Sequence, residues 1–405
     1  MTAAEKILKK ALVGSSLNSR EWNLVQAGLR DRAFFSSQVE SARILHAARS
    51  MVADRAGGNL SASEIRRDLR EIISSTGYRP PEGKEGTLQD LYSKRRLDTI
   101  IRTNVDQARG YVRHLDGMKP GAFAAFPGQE LVRVRERRAK RDWATRWKNA
   151  GGQFYNGRMI ALRNDPIWER ISVFGNPFPP FDWGSGMGVR AVSRRDCIAL
   201  GIVTDEEVRE KVQALKANEN TTPGLNDNLL AEVPFKGNTP EMKRLKDAFG
   251  DQITHEDGKI VWRGSAVREA FNSGKPFEIR LGKPTEHLKS MLPAGAEKYL
   301  KDKCFTVDGS WLDEPRSNGG SHRDHFEPKE KDPRNIPLTD GDLELIPTLW
   351  RKPDSVEDGG YKGSVVCSLE TFDGGILRMV VDMLRVPRIK TLYKNKPGIG
   401  SGGPT

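Results

Sequence analysis

Apolar residues recur at steps of three and four through the first part of the chain, the period of a helix with one buried face. Trp22, Val25, Leu29 and Phe34–Phe35 begin the stripe, and Val39, Ala42, Leu45 and Ala48–Met51 continue it. The stretch from about Ala4 to Arg109 is therefore expected to be helical. Gly57–Gly58 ends the first run. Ser61, with Glu64 three positions on, forms a capping box that opens a second helix over SASEIRRDLREIIS. The PPEGKEG stretch (Pro80–Gly86) breaks the pattern, and Thr87 is expected to cap a third helix through LYSKRRLDTIIRTNVDQARGYV. A further helix is predicted over Arg133–Trp147. It would put Val132, Ala139, Trp143 and Trp147 on one face and Arg133, Arg137 and Arg141 on another. Those arginines suit DNA or an acidic neighbour; they equally suit a solvated face, since Glu136 and Asp142 dilute the patch.

Between Lys211 and Pro234 the pattern stops. KANENTTPGLNDNL offers almost nothing to bury and marks the clearest domain boundary. Beyond it the period changes. Thr239–Pro240 starts a short helix ending near Gly250, Asp257–Gly258 is a hairpin turn between ITHE and KIVW, Ser265 starts a helix that stops at Gly274, and FEIRL is a strand. Asp340 caps DLELIPTLW, interrupted at Pro347. GSVVCSLE, ILRMVVDML and RIKTLYK then read as three strands, the first two joined at Phe372–Gly375. The fold class expected is multidomain α+β: a mainly helical, irregular first half, then helices followed by a small antiparallel sheet. The glycine-rich end Gly398–Thr405 is expected to be a flexible tail, and no internal repeat is visible.

One segment fits neither period. Asn164–Val192 packs four prolines, four glycines, two tryptophans and three phenylalanines into 29 residues. Pro177, Pro179 and Pro180 remove backbone donors and fix φ, while the rings carry too much apolar surface for a solvated linker. A long loop pinned by Trp168, Phe174, Phe178, Phe181 and Trp183 is the expectation, against a plain proline-rich surface loop.

Composition narrows the classes. The 405 residues carry 66 Lys and Arg against 54 Asp and Glu, a net charge of +12, which favours a polyanionic partner without implying sequence-specific reading. Three cysteines without CxxC spacing (Cys197, Cys304, Cys367) argue against a disulfide framework or a zinc site and for a reducing compartment. No apolar run approaches 18 residues, so no membrane span is expected. MTAAEKILKKALVG reads as an amphipathic helix, not a signal peptide.

The run IWERISVFGNPFPPFDWGSGMGV resembles the C-terminal signature of phage head-morphogenesis proteins of the Mu F type, minor capsid proteins associated with the portal. SRRDCIALGIVTDEEV (Ser193–Val208) takes the place of the acidic-helical stretch that follows it in that family, and RTNVDQARGYVRH resembles the helix that opens the domain. The resemblance covers roughly Arg20–Val208. It implies a structural role in a virion and carries over no catalytic residue.

Chemistry has few candidates. His322 and His325 lie in NGGSHRDHFEPKEKDPR, read as a polar loop, and no third ligand nearby makes a metal set; His46, His114, His255 and His287 each stand alone. The stretch from HFEPKEKDPR through Leu343–Asp354 to RIKTLYK resembles phage-associated nuclease domains of the barnase, EndoU, colicin E5/D and RelE superfamily, over roughly Gly282–Lys396. That resemblance implies His325, with His322 as the second candidate, as acid or base, Arg351 as the phosphate-contacting cation, and Thr391 and Tyr393 lining the site from the last strand. Lys394, His322 and Arg323 would contact nucleic acid there, as Arg133, Arg137 and Arg141 would in the first half.

The implied reaction is metal-independent RNA cleavage, with no metal and no cofactor. The expected layout is an N-terminal helical region over 1–90, a Mu F-type domain over 91–215, a linker over 216–234, a toxin-like nuclease region over 235–396 and a tail over 397–405. Expected partners are portal or capsid proteins, RNA for the C-terminal region, packaged DNA and an immunity protein, but no membrane. The expected location is the phage head or the host cytoplasm. The alternatives are a purely structural head protein with an inert C-terminal extension, and an unrelated DNA-binding protein recruited by its basic surface.

Overall fold

In the computed structural model the capping box at Ser61 forms as its sequence requires. Its hydroxyl accepts from the Glu64 N–H, and the Glu64 carboxylate accepts from the Ser61 N–H at 2.7 Å, opening the helix Ala62–Ser75. The structure describes residues 1–25, 27–137, 140–218, 233–234, 240–256, 259–300, 303–314, 321–327 and 335–397. They form a mixed α+β protein. Among them, no helix is long and apolar enough to cross a membrane. Most of the expected linker and the tail from Gly398 lie outside the described residues.

The chain divides into two units. The first takes Met1–Lys10, Asn18–Arg32 and Ala48–Leu229; the second takes Ala11–Leu17, Ala33–Ala47 and Leu230–Thr405.

The spine of the first unit is a 25-residue helix, Lys94–Met118. Ser93 caps it, not Thr87, whose hydroxyl instead closes a local turn on the Lys84 carbonyl. The predicted basic helix is also overturned: Arg133 ends a strand (Gly128–Arg133), Arg137 and Arg141 follow in irregular chain, and the helix begins only at Trp143. The reason is pairing. Gly128–Arg133 is the centre of a four-stranded antiparallel sheet, bonded to Arg158–Leu162 on one side and Met187–Val192 on the other. These ladder bonds outweigh local helix propensity.

The Pro/aromatic segment closes this sheet. Its prolines end at Pro180, so Met187–Val192 is free to pair as a strand, which its glycine content had concealed. Trp168, Phe174, Phe178 and Phe181 are buried and Trp183 is half-buried. Trp168 stacks on Phe181 at 5.8 Å and meets Trp147 at a tilt at 5.3 Å, and its indole N–H donates to the Leu162 carbonyl. Burial of such rings contributes roughly 1.5–3 kcal/mol each, which offsets the entropy of ordering the loop. Gly110 allows the loop to lie on the long helix; a Cβ there would collide with the Pro179 carbonyl oxygen.

His114, on the same helix, is buried against Phe178. Burial first, and the Arg163 charge second, push its imidazole down to about 4. The unfolded chain titrates the group near about 6.5. Between those values the unfolded state holds the proton and the folded state does not. Stability from this group is complete above pH 6.5 and falls towards pH 4, by at most about 3 kcal/mol. Urea unfolding at pH 7 and pH 4.5 should show a smaller loss for His114→Gln than for the wild type. Equal losses would mean the imidazole is not held neutral.

The second unit is built on a seven-stranded sheet. Its order runs Glu278–Gly282, Phe305–Asp308, Arg388–Asn395, Ile376–Asp382, Ser364–Glu370, Ser355–Asp358, with Asn335–Ile336 paired to the far end of Arg388–Asn395. The last three expected strands form the antiparallel centre. The helix pattern around Pro347 resolves into two helices, Asp340–Glu344 and Ile346–Arg351, the first capped by Thr339 instead of Asp340. A separate three-stranded sheet contains the paired strands Ile253–Glu256 and Lys259–Trp262; their turn at Asp257–Gly258 lies outside the described residues. The two early segments belong to this unit: Leu12 and Ala42 pack on its core, the Leu12 N–H donates to Glu344 at 2.7 Å, and Gln252 donates to the Gly14 carbonyl.

Candidate active site

The strand Arg388–Asn395 sorts its side chains between two faces. Leu392 joins the main core with Cys367, Met379, Leu349 and Trp350, while Thr391 and Tyr393 alternate to the other face, where Tyr393 packs with Val366 and Val380. On that second face sits a 3-10 helix, His322–Phe326. The polar loop expected here is a buried turn: both imidazoles are about 8 % exposed. The helix brings its two histidines over the strand because they lie three apart, one turn of a 3-10 helix, where side chains eclipse.

His322 Nδ1 lies 2.9 Å from the Thr391 hydroxyl. The two imidazoles stack with centroids 5.7 Å apart, His325 faces the Tyr393 ring at 6.2 Å, and Trp311 meets His322 edge-on. The Leu338 N–H donates to the His325 carbonyl at 2.9 Å, fixing the turn. Burial raises the Tyr393 phenol, Arg378 opposes that rise and Glu357 adds to it, so the hydroxyl keeps its proton well beyond neutrality.

Arg378 was not foreseen. It stands directly across from Tyr393 in the antiparallel register, with Ser368 across from it on the next strand, so all three share the histidine face. It is buried. Its signal was legible in ILRMVVD: an arginine in the middle of an apolar strand needs a polar environment on the face it occupies.

Arg351 does not join this group. It ends the helix Ile346–Arg351, which buries Leu349 and Trp350 in the core on the opposite face of the sheet. It lines a different cavity of about 370 Å³ with Glu40, Thr285, His287 and Lys352. A cation at a helix C-terminus complements the helix dipole, which accounts for it there.

Lys394 also turns away, because its place in the alternation is that of Leu392. It is buried and ion-paired to Asp342 at 2.9 Å and Asp373 at 3.0 Å, so it is no phosphate contact. Arg323 is exposed and holds Asp313 through two hydrogen bonds. In the first unit, Arg141 donates to the Trp183 carbonyl and approaches Asp182, Arg133 is half-buried at a strand end, and Arg137 lines a groove.

The face therefore holds two imidazoles, a hydroxyl bonded to one of them, a phenol and a guanidinium. Two imidazoles side by side can divide proton abstraction and donation between them. A guanidinium on the same face can take up charge growing on phosphoryl oxygens. Among the described residues, no group of three or more His, Cys, Asp or Glu could hold a metal. No protein-family model, curated protein or solved structure matches the chain.

Proposed function

We propose that the second unit is a metal-independent ribonuclease of toxin type, carried by a phage or prophage minor head protein that associates with portal or capsid. The observation that carries the enzymatic reading is the His322–Thr391 bond with His325 stacked beside it on a sheet face that also bears Arg378. One imidazole would take the proton from a ribose 2′-hydroxyl, whose oxygen attacks the adjacent phosphorus. The bond to the 5′-oxygen breaks, and the other imidazole protonates that leaving oxygen, giving a 2′,3′-cyclic phosphate and a free 5′-hydroxyl. Thr391 holds the His322 ring in orientation. Arg378 would balance the charge on the phosphoryl oxygens in a low-dielectric setting where such contacts count most.

The virion reading rests on the Pro/aromatic signature and on the burial of its rings, Trp168 and Phe181 in one core, Phe178 against Tyr111 and His114, and Phe174 against Trp183. It places the chain in the phage head or, after synthesis or delivery, in host cytoplasm, and an active toxin domain would call for an immunity protein. The rival reading, an inert extension, draws on the same burial of the histidines: a buried pair can simply be core. On this reading the substrate is a single strand, since so covered a face leaves a duplex less access than a flexible chain.

The test uses the full chain, because Leu12 and Ala42 complete the packing of this unit. Incubated with single-stranded RNA and excess EDTA, it should release fragments ending in a 2′,3′-cyclic phosphate. An oligomer with a single ribose among deoxyriboses should be cut only after that ribose. An intact RNA pool under these conditions would leave the inert extension as the function.

A further inference from the structure

The first unit carries a groove of about 260 Å³ between the long helix Lys94–Met118 and the Pro/aromatic segment. Its cations are all arginine: Arg102, Arg109 and Arg113 from the helix, Arg135 and Arg137 from the chain after the central strand, and Arg163 from the end of its neighbour. One acid enters it, Asp106, and Arg135 already pairs with it at 3.0 Å. Arg102, Arg109, Arg113 and Arg137 have no ion pair among the described residues. Burial, Arg102 and Arg135 push the Arg137 guanidinium below its ordinary value, with Arg141 adding a smaller push and Asp106 opposing it.

Helix geometry makes the three helical arginines a row. At 100° per residue, positions 102, 109 and 113 fall within about 40° of one another, spaced about 10.5 and 6 Å along the axis. That row lies away from the buried stripe of Leu97, Ile101, Val105 and Ala108. Like charges placed so close repel one another, and nothing in the packing of the unit requires exposed Arg102, Arg109 or Arg113. An anionic occupant removes the repulsion. Guanidinium forks bind phosphate oxygens in pairs, and the Pro177 and Pro179 rings on the other wall offer an apolar surface to sugars.

We propose that this groove binds the phosphodiester backbone of nucleic acid without reading its bases. It lies wholly in the first unit and does not depend on the ribonuclease reading of the second.

DNA is the suitable probe, since it lacks the 2′-hydroxyl that cleavage would need. Fluorescence anisotropy of labelled single-stranded and duplex 20-mers with the full chain should show binding whose logarithm falls linearly with log salt. The exposed double variant Arg109→Gln/Arg113→Gln should raise Kd about tenfold or more and reduce the slope by about 1.4–1.8, the share of two lost phosphate contacts. The control Arg79→Gln/Lys84→Gln removes the same charge from an exposed loop and should change Kd by less than about twofold. Comparison of the two probes tells which strand form the groove takes. Equal loss in both double variants would reduce the effect to net charge and overturn the proposal. So would displacement of DNA by a polyglutamate of equal charge at equal concentration, which would assign the groove to an acidic protein. The groove is read by DNA binding and the second unit by RNA cleavage, so a failed RNA assay and a failed groove remain separate results.

Discussion

Replacing His322 by asparagine should lower the rate of RNA cleavage by about 10²–10⁴-fold, the usual cost of losing a positioned acid or base. Asparagine keeps a polar group near Thr391 and fills part of the buried space, so the variant should stay folded; near-ultraviolet circular dichroism and Tm check this. His325→Asn should fall in the same range, because each imidazole serves one of the two proton transfers. The pH profile separates catalysis from packing. With both histidines present, kcat/KM should follow a bell, one limb for the group that must be neutral and one for the group that must be charged. Each single variant should lose one limb and keep the other. Thr391→Val removes only the hydroxyl that orients His322; as a positioning residue it should shift the profile and lower kcat with little change in KM. If either histidine variant cleaves at the wild-type rate while folded, the two rings are core residues and the inert extension becomes the better reading.

Local signals that act within a few residues were legible in the sequence. The Ser61–Glu64 box, the glycine stop after Gly57 and the three closing strands depend on capping geometry or a period of two, and both are written in short windows. The alternation of RIKTLYK likewise placed Thr391 and Tyr393 on one face. Other features depend on partners far along the chain. Val132 and Arg133 fit a helical wheel, yet become strand because Met187 and Gly188 pair with them. Arg351 and His325 share a stretch of sequence but project from opposite faces of one sheet, which only the packing of Trp350 and Leu349 decides. Arg378 stands next to Tyr393 through register alone. The capture of Ala11–Leu17 and Ala33–Ala47 by the second unit left no mark in their composition.

The same alternation gives the largest expected stability effect. Lys394→Met should destabilise the second unit by about 3–5 kcal/mol, the range for removing one partner of a buried ion pair. The Asp342 carboxylate is fully buried and caps its helix by accepting from the Thr339 N–H and hydroxyl, both at 2.8 Å. Without Lys394 it keeps those bonds but loses its countercharge. Asp373 is about a third exposed and can turn to water. Burial works against the Lys394 ammonium, yet Asp342 and then Asp373 more than reverse this and raise its pKa, so the lysine is charged throughout the ordinary pH range. The double variant Lys394→Met/Asp342→Asn should recover much of the loss, since the uncompensated charge is gone while the cap can still accept a bond. Urea unfolding read at the fluorescence of the buried tryptophans measures both. A lysine that served RNA instead would behave otherwise: Lys394→Met would leave the unfolding midpoint in place, weaken RNA binding and flatten its response to salt.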